Sequence, residues 1–174
     1  MSETQLAASR VLPVGPIALA HRRTVIETPP EGRILQIQAR RGARLDAASL
    51  AFLADGDPAA LREIAPGQWV VVADRPIASS EVAAAAARLA EVAHVFDIGP
   101  GRVRLRLTGV DVVEVLVPHV VVDLTTRGFP VGRSTATLFG HVSVWLTRLA
   151  EDIFEIVAPR SFAVAVLEDL TGAR

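Results

Sequence analysis

The strictest alternation of polar and apolar residues in the chain is Arg102-Val103-Arg104-Leu105-Arg106-Leu107, which has the period of a β-strand with unlike faces. Residues 33–39 alternate less regularly, but their length and branched side chains also favour a strand. The apolar runs 61–65 and 68–73 flank Pro66-Gly67, a pair that presets a type II turn, and so predict a hairpin. Further strands are expected at 94–98, 135–139, 141–147 and 153–158. Helical spacing is clearest in Val82, Ala85, Leu89 and Val92, on an alanine-rich segment capped by Ser79 or Ser80 with Glu81 in its first turn. Asp46 predicts the cap of a short helix bearing Leu50, Leu53 and Ala54, stopped by Asp55-Gly56-Asp57-Pro58. A second short helix spans 109–116 with Val112, Val113 and Leu116 inward. A last one begins near Pro159, with Ser161 as cap and Phe162, Val166 and Leu170 on one stripe.

These elements divide the chain into an N-terminal arm, 1–22, and two subdomains, 23–99 and 100–174, that meet at Gly99-Pro100-Gly101. Each half runs strand, short helix, hairpin, amphipathic helix, and each has a lone tryptophan in its hairpin, Trp69 and Trp145. The expected fold is therefore α+β, two tandem βαββα-like subdomains. Either unit alone is too small for a good core, so the two should pack on each other.

Composition sharpens this picture mainly by exclusion. With 51% apolar residues, mean hydropathy +0.38 and net charge −1, the chain can fill a core and is not disordered as a whole. It has no Cys, Tyr, Asn or Lys, and all 18 basic residues are Arg. Thiolate nucleophiles, zinc ribbons, iron–sulfur ligation, lysine Schiff bases and P-loop lysines are thereby removed. The skew is that of a GC-rich coding bias, with selection for Arg as an interface residue the other reading. The pI near 6.4 points to no nucleic-acid partner. The first apolar stretch is broken by Pro13, Gly15 and Pro16, and the stretch 110–124 carries Asp111, Glu114 and Asp123, so neither a signal peptide nor a membrane span is expected and the location reads as cytoplasmic.

Candidate chemistry is sparse. His21, His94, His119 and His141 show no metal-binding spacing. Gly132-Arg133-Ser134-Thr135-Ala136 begins like a nucleophile elbow but lacks the second glycine and precedes a strand. Gly99-Pro100-Gly101 also leads into a strand, where a phosphate loop would lead into a helix. Asp111, Glu114 and Asp123 have no spacing that selects an acid–base pair. Arg102, Arg104 and Arg106 share one face of their strand, which is either a solvated sheet face or a subunit contact or anion-facing row. No residue is assigned a catalytic, cofactor-binding or metal-binding role.

The C-terminal half carries a family pattern. Phe129-Pro130-Val131-Gly132, Thr135-Ala136-Thr137-Leu138-Phe139-Gly140, Val142-Ser143-Val144-Trp145-Leu146, Asp152-Ile153-Phe154-Glu155-Ile156-Val157 and Arg160-Ser161-Phe162-Ala163 resemble, in order and spacing, the gamma subunit of heterotetrameric sarcosine oxidase. The segment 104–116 and the hairpin Pro66-Gly67-Gln68-Trp69-Val70-Val71-Val72 resemble it too, the hairpin with Pro and Gly transposed and Gln68 where Glu is usual. The resemblance spans roughly residues 25–170 and is strongest after Gly101. It implies a fold similar to the folate-binding T-protein of glycine cleavage and a non-catalytic structural role beside alpha, beta and delta subunits that hold FAD, FMN, NAD, tetrahydrofolate and zinc. The implied chemistry is oxidative demethylation of sarcosine or a related N-methyl amino acid to the amino acid, with hydrogen peroxide and either formaldehyde or methylene-tetrahydrofolate. Arg102, Arg104, Arg106, Arg160 and Phe162 are the candidate subunit-interface residues. The alternatives are a stand-alone folate-binding, aminomethyltransferase-like protein, with Asp97 or Asp123 engaging the pterin, and a homodimeric binding module.

Overall fold

The computed structural model describes residues 18–30 and 32–172. Its strands are β1 (Ala18–His21), β2 (Thr24–Glu27), β3 (Arg33–Ala39), β4 (Leu61–Ala65), β5 (Gln68–Ala73), β6 (Ala93–Asp97), β7 (Arg102–Gly109), β8 (Ser134–Phe139), β9 (Val142–Ala150) and β10 (Ile153–Pro159). Its α-helices are α1 (Ala47–Leu50), α2 (Ser79–Arg88), α3 (Val112–Leu116) and α4 (Ala163–Thr171). The fold is α+β, with one sheet ordered β4-β5-β3-β6 and a second ordered β1-β2-β7-β10-β9-β8. Every strand pairing is antiparallel.

Four layers result. Leu35, Ile37, Trp69 and Val71 turn one face of the four-stranded sheet toward Leu50, Leu53, Ala85 and Leu89 of the α1 and α2 segments. Leu105, Leu107, Leu146, Phe154 and Ile156 turn one face of the six-stranded sheet toward Val112, Leu116, Val166 and Leu170 of α3 and α4. The remaining faces meet each other through Ile34, Ile64, Val70 and Val72 on one side and Trp145 and Val157 on the other. None of the helices among the described residues is long and apolar enough to cross a membrane.

The hairpin of β4 and β5 forms as expected, with Gly67 at φ +69°, the conformation a type II turn demands of its third residue. The two halves are nonetheless not copies. In the first, β3 lies between β5 and β6, whereas in the second β8, β9 and β10 form a meander that returns β10 to β7. The free edge of β7 is then taken by β2, and β1 pairs with β2. Residues 18–27, assigned above to the arm and the first subdomain, therefore belong to the sheet of the second. Two strands of four residues each are too short to carry a periodic signal, and their pairing partner lies some eighty positions on. The rest of the arm lies outside the described residues.

Polar contacts pin this hairpin down. At its turn Arg22 Nη1 donates to Glu114 (3.1 Å), and Arg23 donates to Asp111 through Nε (3.0 Å), Nη2 (2.6 Å) and the backbone N–H (3.3 Å). Asp111 immediately precedes α3, so the hairpin is tied to the helix that caps its own sheet. Gly109 makes the close approach possible, because a Cβ there would lie 2.0 Å from the carbonyl oxygen of Arg23.

Some local expectations change. The α2 cap is Ala78, and Glu81 reaches back to its N–H (2.9 Å), so Ser79 and Ser80 are the first helical residues instead. Val92 lies past the end of α2 and is 37% exposed. A 3-10 turn, Arg160–Phe162, precedes α4, so Ser161 does not cap that helix and Phe162, 42% exposed, leaves the core stripe. The looser stretch 117–133 is held by Arg148, which is 5% exposed and donates to the carbonyls of Leu124 (3.2 Å), Phe129 (3.1 Å) and Glu151 (2.7 Å).

Substituting Gly109→Ala should lower the free energy of unfolding by about 1–3 kcal/mol, because backbone rather than a flexible side chain must move. Gly101→Ala, where nothing lies within 4 Å of the added Cβ, should be nearly neutral. Urea denaturation of both variants checks the difference.

Candidate functional site

The charged residues that the two sheets enclose lie where the strand period places them. In β10, Phe154, Ile156 and Ala158 face α3 and α4, so Glu155 and Val157 face the other sheet. In β7, Val103, Leu105 and Leu107 face the helices, so Arg104 and Arg106 turn the same way as Glu155. From the four-stranded sheet β4 contributes Arg62 beside Ile64.

Glu155 is 0% exposed and accepts from all three arginines: Arg62 Nη1 on one oxygen (2.7 Å), and Arg104 Nη2 (2.9 Å) and Arg106 Nη2 (3.1 Å) on the other. Arg104 also donates to Asp74, just beyond β5 (2.6 Å). Arg62 reaches Thr147 Oγ1 (3.5 Å), which shares a hydrogen bond with Ser134 (3.0 Å). Burial by itself would raise the Glu155 pKa, but the Arg62 and Arg104 guanidiniums overcome it and hold the carboxyl down at about 2. Desolvation also works against Arg104, whose pKa is nevertheless raised by Glu155 and Asp74.

The arginine row is thus not a solvated face throughout, since two of its members turn into the ion cluster. Arg104, 6% exposed, and the partly exposed Arg106 both donate to Glu155 on the neighbouring strand, and Arg104 also reaches Asp74, just beyond β5 of the other sheet. Period-2 alternation puts the three arginines on one face but does not tell what that face meets. Arg102, nearest the strand start, escapes the cluster and stacks over the Trp145 ring at 4.6 Å. Arg160 donates from Nε to the Pro100 carbonyl (3.0 Å). Both line a cleft of about 390 Å³ at the rim of the sheet interface, with Pro29, Pro30, Pro76 and Asp97. A second, wider cleft of about 720 Å³ runs between β4 and β8, lined by Trp69, Arg133 and Ser134.

Glu155, Arg62 and Asp74 were not singled out from the sequence. A lone carboxylate inside the apolar run 153–158 was the available signal, since a charge on a strand buried on both faces requires a partner. The other candidates have local roles. Asp97 accepts from the Gly99 N–H (3.1 Å) and Asp123 from the Thr125 N–H (3.0 Å), the latter bond holding its pKa low. Gly101 N–H donates to the Ile98 carbonyl (3.1 Å), so both glycine N–H groups of this turn are already bonded. His94 stacks on Phe96 and His119 on Phe139. Among the described residues no group of three His, Asp or Glu side chains is placed to hold a metal ion.

The family model for the sarcosine oxidase gamma subunit matches residues 36–172, which include the Glu155 cluster and strands β4 to β10, and leave out β1, β2 and the first residues of β3. The chain belongs to the sarcosine oxidase gamma subunit family. A chain of the heterotetrameric sarcosine oxidase from Corynebacterium sp. U-96, solved in complex with pyrrole 2-carboxylate, superposes with a TM-score of 0.73 at 22% identity, covering 97% of this chain and 91% of that one. No curated protein sequence matches the chain.

Glu155→Gln removes the negative charge that three guanidiniums share and turns one of the two acceptor oxygens into an N–H donor facing them. Glu155→Gln should therefore cost about 3–5 kcal/mol of folding stability. Because the folded pKa lies below the usual value of 4.5, the stabilisation is complete above pH 4.5 and is lost as pH falls toward 2. Acid titration of unfolding should show that loss in the wild type and a flatter curve over the same window in Glu155→Gln.

Proposed function

We propose that this chain is a non-catalytic, structural gamma subunit of a cytoplasmic heterotetrameric sarcosine-oxidase-type flavoenzyme. The complex oxidatively demethylates sarcosine or a related N-methyl amino acid, giving the amino acid and hydrogen peroxide, with the one-carbon unit leaving as formaldehyde or as methylene-tetrahydrofolate. Its FAD, FMN, NAD, tetrahydrofolate and zinc belong to the alpha, beta and delta partners. The carrying observation is the family match across residues 36–172, which takes in most strands of both sheets. The geometry agrees with a packing role, because the fully buried Glu155 carboxylate is paired with the buried Arg62 and Arg104. The likeness in fold to the T-protein is part of the same reading.

Arg102, Arg160 and Phe162 remain as the subunit-contact residues of this proposal. They lie on or beside one cleft, and arginine with an exposed aromatic is the combination that protein interfaces enrich. Co-expression with the subunits encoded beside it should yield one stoichiometric complex that carries flavin and oxidises sarcosine, while the chain purified alone is colourless. A yellow isolated chain that turns over sarcosine would overturn the proposal. So would a stable homodimer that ignores the other subunits.

A further inference from the structure

The cleft at the rim of the sheet interface has an unusual floor. Arg102 is half-buried, and among the described residues no carboxylate lies within 4.0 Å of its guanidinium, although Arg62, Arg104 and Arg106 each have one. Its planar face rests on the Trp145 ring, which fixes where the group points. Burial lowers its pKa, so the cation is desolvated without a compensating anion. Nearby, the buried Nε of Arg104 also lacks a hydrogen-bond partner. The Asp97 carboxylate on the wall is engaged with the Gly99 N–H (3.1 Å).

The walls are suited to staying open. Pro29, Pro30, Pro76 and Pro100 have fixed φ and no N–H group that needs satisfying, so the empty cleft strands no backbone donors there. At about 390 Å³ it exceeds what an inorganic ion requires and admits a side chain. The turn Arg160–Phe162 touches the turn Gly99–Gly101 on this rim and carries an exposed phenyl ring. An arginine with no carboxylate on a cleft wall, with an exposed aromatic on the adjoining turn, resembles the anchors by which one protein holds an acidic side chain of another.

We infer that this proline-walled cleft is a socket for a carboxylate presented by a partner subunit, an acidic side chain that lies against the Arg102 guanidinium with apolar contact to Phe162. The inference rests on the chain being a subunit of a larger complex. The carboxylate accepts from the planar fork of the guanidinium and replaces the water that Arg102 lost on folding.

The test uses the full chain and its co-expressed partner subunits. Arg102→Met keeps apolar contact with Trp145 and removes the charge, Arg102→Lys keeps the charge without the fork, and the exposed Arg41→Met is the control. Relative to wild type, Arg102→Met should melt at a similar temperature yet bind the other subunits about tenfold or more weakly, with flatter salt dependence, while Arg102→Lys is intermediate and Arg41→Met unchanged. In the wild-type chain, independent of any variant, assembly should shield Arg102 from phenylglyoxal. Wild-type affinity in Arg102→Met, or undiminished reactivity of Arg102 in the complex, overturns the inference and leaves the subunit reading standing. Shielding of Arg102 by millimolar propionate but not by assembly assigns the cleft to a free carboxylate and overturns the partner-borne source. A wild-type chain that joins no complex overturns the subunit reading and this inference with it.

Discussion

Burying the Glu155 carboxylate between two sheets is the constraint around which the chain is arranged. A charge with no access to water must be matched at short range or it unfolds its surroundings, and here the match comes from both sheets: Arg62 from one, Arg104 and Arg106 from the other. The apolar contact between the sheets is small beside the cores on their outer faces. Apolar contact is non-directional and tolerates sliding. A carboxylate shared by three guanidiniums is satisfied in one placement, so the ion cluster gives the two layers a register that their valines and isoleucines alone would leave loose.

Other arginines repeat this use on a smaller scale. Arg33, almost fully buried, pairs with Asp55, which also accepts from Arg75, and Arg75 reaches Glu81 at the start of α2, so the four-stranded sheet is laced to its own helix. Arg23 and Asp111 lace the N-terminal hairpin to α3. Among the described residues Arg148 has no carboxylate partner and instead gathers the carbonyls of Leu124 and Phe129, from a loop that lacks regular structure, and of Glu151, in the turn after β9. A chain with no lysine uses its guanidiniums as multi-pronged fasteners, a role that the ammonium of lysine, a single compact charge, fills less well.

This internal consumption of charge frames the functional reading. The buried carboxylate is closed into structural ion pairs, and Arg102, which has no carboxylate within 4.0 Å among the described residues, lies at the rim. That distribution is in keeping with the packing role proposed for the chain. It also places the interesting surface at the end of the sheet interface, away from its centre.

Much of the fold was legible along the chain. The alternation of residues 102–107, the Pro66-Gly67 hairpin, the helical spacing of α2 and the short helices after Asp46 and Asp111 are local patterns, and local patterns survive folding because they follow from backbone period and turn geometry. The family motifs after Gly101 were legible for the same reason: they are contiguous. What the sequence could not decide was which faces meet. Arg62 and Glu155 are 93 positions apart, and β2 finds its place only on the free edge of β7. Alternation says that three arginines share a face; only the tertiary structure, by laying a second sheet with a buried carboxylate between the two, decided that two of them hold this chain together and left the third at the rim.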